Sequence, residues 1–436
     1  MLPTTLKNTK SDSIIQNPLI VTYAYYAMFI VLGMVTASIG PSLPFLANNT
    51  GTALGNIGIL FSARAGGYLG GSLVSGGVYD RRPGHRILAG MMAVLAISFF
   101  ALPVVMVLWV LILIAFLLGF SEAAVDVGGN TLLVWIHHKN VGPFMNALHA
   151  FFGVGSFLSP LILAQTISSS HNIILGYRVM ALMIIPIIIW IWRLPSPSAP
   201  LTTKHMSDER MPDQTSTPWL VLIISVFLFL YVGVEVGFSG WIFTYALTLG
   251  LATETSAALL TSAFWGTFTL ARIFSIPLAT RVRPKTAILI GLTGGLTCIA
   301  LIIVKPSSVL ALWLGTLGLG ASIAAIFPSA ISFAENRVQL TGQRTRWFFA
   351  GGGLGGMILP WLLGKFFGHF GALMVIRLLI VDAILAMILF IAILLQEKSL
   401  FGNCREKCHG DSQRPRKVSN RAIAERSRKK SIKADA

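Results

Sequence analysis

For almost its whole length the chain alternates long apolar runs with short polar breaks, and those runs decide what it can fold into. Reading them end to end gives about twelve: 19–46, 54–79, 86–105, 107–135, 143–168, 174–193, 218–247, 255–281, 285–304, 308–335, 343–368 and 371–396. A helix rising ~1.5 Å per residue crosses a ~30 Å hydrocarbon core in about 20 residues, so each run is long enough to span a bilayer. Inside lipid every backbone N–H and C=O must be satisfied within the element, which selects helices over open strands. Composition closes the soluble alternative. Only 11% of the 436 residues are charged, against about 25% in a typical soluble domain, and mean hydropathy is +0.76. Too little polar surface remains to cover a water-soluble globule. The expected product is an all-α polytopic, multi-pass integral membrane protein, placed in a plasma membrane or a bacterial inner membrane.

A formal charge of +17 invites a nucleic-acid reading, but its distribution argues against one. Much of the excess follows Gln396, in runs such as Arg414–Lys417 and Arg426–Lys430. The rest sits in alternate loops: Arg81, Arg82 and Arg86; His137, His138 and Lys139; Arg193, Lys204 and Arg210; Arg281, Arg283 and Lys285; Arg337, Arg344 and Arg346. The intervening loops are nearly bare. Basic residues are retained on the cytoplasmic face, so both termini are expected there, with anionic lipid rather than nucleic acid as the partner of the basic tail. Residues 1–17 are polar and do not read as a cleavable leader. Cys298, Cys404 and Cys408 form no disulfide framework. The last two read as ordinary thiols, with palmitoylation as the alternative. No cofactor or metal is implied.

The segment 194–217 holds five prolines counted through Pro218, with Asp208, Glu209 and Arg210 among them. It cannot bury enough apolar area to fold alone. It divides the chain into a cytoplasmic segment 1–17, a six-helix bundle 18–193, the linker 194–217, a second bundle 218–397 and a basic tail 398–436. The two bundles align at a spacing near 200 residues. Gly33 and Gly40 fall on Gly233 and Gly240, and Arg82-Pro83 falls on Arg283-Pro284. Leu118-Gly119 falls on Leu319-Gly320, and Gly153, Gly155 and Pro160 fall on Gly353, Gly355 and Pro360. Parallel six-span repeats describe the major facilitator architecture, in which solute binds between the halves near mid-membrane.

The candidate chemistry lies where the repeat fails. Glu122, Asp126 and Asn130 recur every four residues and so share one face of span four; their counterparts in span ten are Ile323, Phe327 and Ile331. Asn146 and His149 in span five oppose Arg346 and Phe349. Ionisable groups at bilayer depth are costly unless they face a bundle interior or water, so this stripe predicts a wet pocket. Arg64 is a buried cation expected to pair with Glu122 or Asp126, in an exchangeable contact for which Na⁺ or a proton competes. Span seven carries Glu235, Trp241 and Tyr245 among Gly233, Gly237 and Gly240, and span eight carries Trp265. Aromatic planes with carboxylate and amide acceptors suit a polyhydroxyl ring such as a sugar, while an outer interfacial belt is the competing place for Trp241 and Tyr245. The end of span two reads Gly76-Gly-Val-Tyr-Asp80-Arg-Arg-Pro-Gly84. It resembles the major facilitator signature between spans two and three, with Pro83 inserted; Asp80 and Arg81 are carried over as gating residues.

Three stretches narrow the resemblance: Gly119–Asn130, Asn146–Gly155 and Glu235–Tyr245, extended by Leu260–Arg272. They are similar to the sodium-dependent glucose transporter 1 branch of that superfamily and its MFSD4-type relatives, over residues 20–395. The resemblance implies a monomeric secondary active or facilitative transporter of a small polar solute, a sugar for preference, with substrate ligands among the residues above and Arg272 joining the gate. The related fucose permeases carry a carboxylate in the first span, and Gly33–Gly40 has none. A drug or metabolite exporter of the same fold and a transport-inactive sensor or scaffold are the alternatives. No nucleophile–base pair, zinc triad or phosphate loop suggests an enzyme.

Overall fold

Among the described residues, twelve helices are long and apolar enough to cross a membrane. The computed structural model describes residues 18–197, 218–278, 281–335, 337 and 342–411. The spans, numbered in words, are Pro18–Thr50, Leu54–Tyr79, Gly84–Val104, Leu108–His137, Val141–Ser170, Ile174–Arg193, Trp219–Thr248, Glu254–Leu278, Pro284–Val304, Val309–Glu335, Trp347–Phe370 and Leu373–Gln396. Most ends fall within about three residues of those read from the apolar runs. The break between spans three and four is a single 3₁₀ turn over Leu102–Val104, where Pro103 cannot continue an α-helix interior. The basic tail after residue 411, and most of the linker, lie outside the described residues.

Through Met387 the chain forms one compact unit; beyond it span twelve continues as helix to Asp411. Packing within that unit follows the repeat. Span two packs on span four and span one on span five; span eight packs on span ten and span seven on span eleven. The crossings use corresponding glycines. A side chain at Gly119 would meet the backbone carbonyl of Arg64, and one at Gly320 the carbonyl of Phe264. A side chain at Gly155 would strike the carbonyl of Ile30, and one at Gly355 that of Phe229. Lipid supplies no hydrophobic drive between helices, so close backbone approach at small residues is what holds them. The periodic glycines seen in the sequence are therefore the contact points of two similarly built sets of helices.

Span ten is two helices, Val309–Ile323 and Ile326–Glu335. Pro328 has no N–H to offer the carbonyl four residues earlier, that of Ala324, so the ladder opens there.

The two sets meet through spans five and eight, two and eleven, and one and seven. At the loop end remote from the chain termini the contact is tight. A side chain at Gly40 would lie 2.9 Å from Ser239 O, and one at Gly55 2.7 Å from the Cα of Gly368. Ser62 donates to Met357 O at 3.2 Å, and a side chain at Gly353 would sit 3.5 Å from Leu69. Towards the termini the surfaces part: Gly76 and Gly77 have open space around them, and Leu73 is 86% exposed.

Candidate functional site

Two polar clusters occupy the middle of this bundle. In the first, Glu122 of span four and Arg64 of span two form an ion pair with both side chains largely buried. Arg64 Nε donates to Glu122 Oε2 at 2.8 Å, and its Nη2 donates to Glu122 Oε1 and, at 3.0 Å, to Thr36 Oγ1. Thr36 of span one in turn donates to Glu122 Oε1 at 2.8 Å. The sequence left Arg64 a choice of two carboxylates, and the fold gives it Glu122. Asp126, one turn further along, takes a hydrogen bond from the Tyr68 hydroxyl and one from Asn130 Nδ2 at 2.8 Å. Tyr68 stands four residues after Arg64, so one face of span two serves one face of span four.

The second cluster is built on the broken span ten. Its interruption leaves carbonyls that side chains of spans seven and eight fill: Tyr231 donates to Ile323 O at 3.2 Å, and Arg272 Nε to Ala324 O at 3.3 Å. Arg272 also lies over the Phe268 ring, 4.4 Å from its centroid. Glu235, one turn along span seven from Tyr231, is within electrostatic reach of both Tyr231 and Arg272. Irregular backbone at membrane depth is tolerated where protein or a cavity satisfies it, and here one cation and one phenol do so. His149 of span five is close enough to Arg272 to interact with its charge. It packs edge-on against Phe29 of span one, 5.8 Å between centroids, yet stays exposed, as does Asn146 one turn away. A solvent-exposed imidazole with neighbours on spans one and eight lines an opening between helices.

The remaining residues separate. Trp241 is fully buried, and its Nε1 donates to Pro360 O at 2.9 Å in the seam formed with Gly58 and Gly364. Tyr245 is also fully buried, with no partner for its hydroxyl among the described residues. The fold thus places both inside the protein at the closed end rather than on an outer aromatic belt. Trp265 is buried beside Phe264 and Phe268, and its indole N–H has no acceptor among the described residues. Asp80 caps span two at the parted end; it and Arg81 are exposed. Arg272 stands with Glu235 and His149, away from that rim. Sequence reading passed over Thr36, Tyr68, Tyr231 and Asp382. A fourfold spacing from Arg64 marks Tyr68, and a lone acid in an apolar span marks Asp382.

Such a bundle is that of a membrane carrier: apolar outside, polar at mid-depth, its two halves sealed at one end and parted at the other. Residues 25–360 match the Major Facilitator Superfamily, and the chain belongs to it as one of its multi-pass transporters. It is 30% identical over 391 residues to the mouse protein "Sodium-dependent glucose transporter 1A", covering 80% of this chain and 90% of that one. It is 25% identical over 466 residues to mouse "Major facilitator superfamily domain-containing protein 4A", covering 86% and 91%. Among solved structures the D-xylose–proton symporter superposes with a TM-score of 0.69 at 12% identity, covering 85% of this chain and 97% of that one; this shows the shared fold.

Proposed function

We propose that the chain moves a small polyhydroxylated solute, a hexose for preference, across its membrane by alternating access between its two halves. The observation that carries the reading is the convergence of ionisable side chains from both halves at mid-bundle. His149 of the first half lies within electrostatic reach of Arg272 of the second, which also answers Glu235, while Asp126 and Asn130 lie partly exposed on span four. Carboxylate and amide acceptors, an imidazole and the unpartnered Trp265 N–H match the alternating donors and acceptors of a sugar ring. The name of the mouse relative points to the same solute class. With both termini cytoplasmic, as the basic loops require, the parted end faces the cytoplasm and the glycine seam closes the outside. Asp80 and Arg81 then lie at the cytoplasmic rim, apart from the opposite half, as a gate does when open.

Uptake of labelled hexoses into proteoliposomes under imposed Na⁺ or proton gradients tests this. The expected result is saturable hexose uptake that Asp126→Asn reduces at least tenfold. Normal uptake by that variant, or no hexose uptake by the parent protein, removes the sugar-carrier reading. A sensor or scaffold instead needs the basic tail, and deleting residues 412–436 leaves a carrier's uptake intact.

A further inference from the structure

One buried carboxylate takes no part in either cluster. Asp382 of span twelve is 4% exposed, and its Oδ2 has no hydrogen-bond partner among the described residues. Nor does any charged side chain among them interact with it. A side chain at Gly233 of span seven would lie 3.1 Å from Asp382 Oδ2 and 2.7 Å from Leu359 Cγ of span eleven. A small cavity beside the same helix is lined by Leu292, Leu319 and Ile323 from spans nine and ten, by Tyr231 of span seven, and by Ala383, next to Asp382 in the chain, and Ala386. The titratable groups nearest along the packed elements are engaged or distant: Tyr231 donates to Ile323 O, Glu235 answers Tyr231 and Arg272, and Arg377 stands more than a turn away on span twelve.

A carboxyl so placed is expensive as an anion and idle as a structural hydrogen-bonder. A metal cation asks for several oxygen ligands, and Gly233 and Leu359 offer no side-chain oxygen. We propose that Asp382 is a proton-binding site of the transport cycle, its Oδ2 taking a proton from the aqueous phase on one side and releasing it on the other. Gly233 makes room for the carboxyl, and Glu235 two residues on projects from roughly the opposite face of the same turn, since each residue advances about 100°. Span seven therefore touches the proton site with one face and the central cluster with the other. A bend at Gly233 and Gly237 that follows solute binding uncovers or seals Asp382.

The inference rests on the carrier reading, and its test separates the two. Purified protein is stepped through pH and followed by infrared difference spectroscopy. The parent is expected to show a protonated-carboxyl C=O band that Asp382→Asn lacks; the same band in both proteins overturns the assignment. This arm needs no solute, so it decides Asp382 even if hexose is the wrong cargo. In proteoliposomes, one-to-one coupling to a one-unit pH gradient accumulates solute up to about tenfold. Asp382→Asn is expected to abolish that accumulation while keeping solute exchange at equal pH within about twofold, which shows that the variant folds and binds. Undiminished proton-driven accumulation by Asp382→Asn, or accumulation by the parent under a Na⁺ gradient alone, overturns it.

Discussion

The Arg64–Glu122 pair allows a double-mutant cycle whose sign pattern follows from its burial. The Arg64 side chain is 14% exposed and that of Glu122 is 5%. Two hydrogen bonds join them, and Thr36 bonds to both. Removing one partner of such a pair strands the other charge at bilayer depth and costs about 3–5 kcal/mol, whereas replacing both by apolar side chains of similar volume is close to neutral. Arg64→Met and Glu122→Met are each expected to lose about 3–5 kcal/mol, and the double variant less than either. Thr36 does not become a new liability, because its hydroxyl lies 3.1 Å from Leu32 O and can donate there instead. The coupling energy is then at least about 3 kcal/mol, far above the few tenths that independent sites show. Equilibrium unfolding in mixed micelles of rising SDS fraction measures it for all four proteins. Costs that simply add would show that the pair is solvated well enough to ignore its partner, and the argument from depth would fail. The same double variant, folded but unable to transport, would mark the pair as part of the cycle rather than of the scaffold.

Three further expectations follow from the geometry. Trp241→Phe removes the indole's bond to Pro360 O, a carbonyl that keeps its place in the ladder of the helix Gly342–Phe370. It should lower stability by about 1 kcal/mol in the same unfolding assay while leaving solute KM within about twofold; a large KM change would place Trp241 in the solute path. Gly155→Val and Gly355→Val push a branched side chain into the carbonyls of Ile30 and Phe229, so both should greatly reduce the yield of monodisperse protein on size-exclusion chromatography. Normal yield from either would deny that these crossings hold each set of helices together. Gly55→Leu wedges the sealed end, where even a Cβ would lie 2.7 Å from the Cα of Gly368, and should tip the bundle towards closure at the other end. Labelling of a cysteine placed at Leu73 by a membrane-impermeant maleimide should then slow at least threefold, and an unchanged rate would argue against rocking halves.

The apolar runs determined the number, order and nearly the limits of the spans, because membrane thickness and the need to satisfy every backbone group leave a chain of this composition few other solutions. The 200-residue echo of glycines marked the two similar sets of spans, and the structure uses those glycines where a carbonyl of a neighbouring helix comes too near for any side chain. Helical spacing put Glu122, Asp126 and Asn130 on one face. Tertiary structure alone decided the partners. It assigned Arg64 to Glu122 and gave Asp126 to Tyr68. It drew Arg272 inward to the break in span ten, and turned Trp241 from a candidate ligand into a strut between spans seven and eleven. It also left Asp382 alone. A side chain's rank along its own helix follows from the 3.6-residue repeat, but its neighbour on another helix depends on rotation and depth. Those are set by which glycines meet and where a proline opens the ladder, and no single stretch of sequence contains both sides of such a contact.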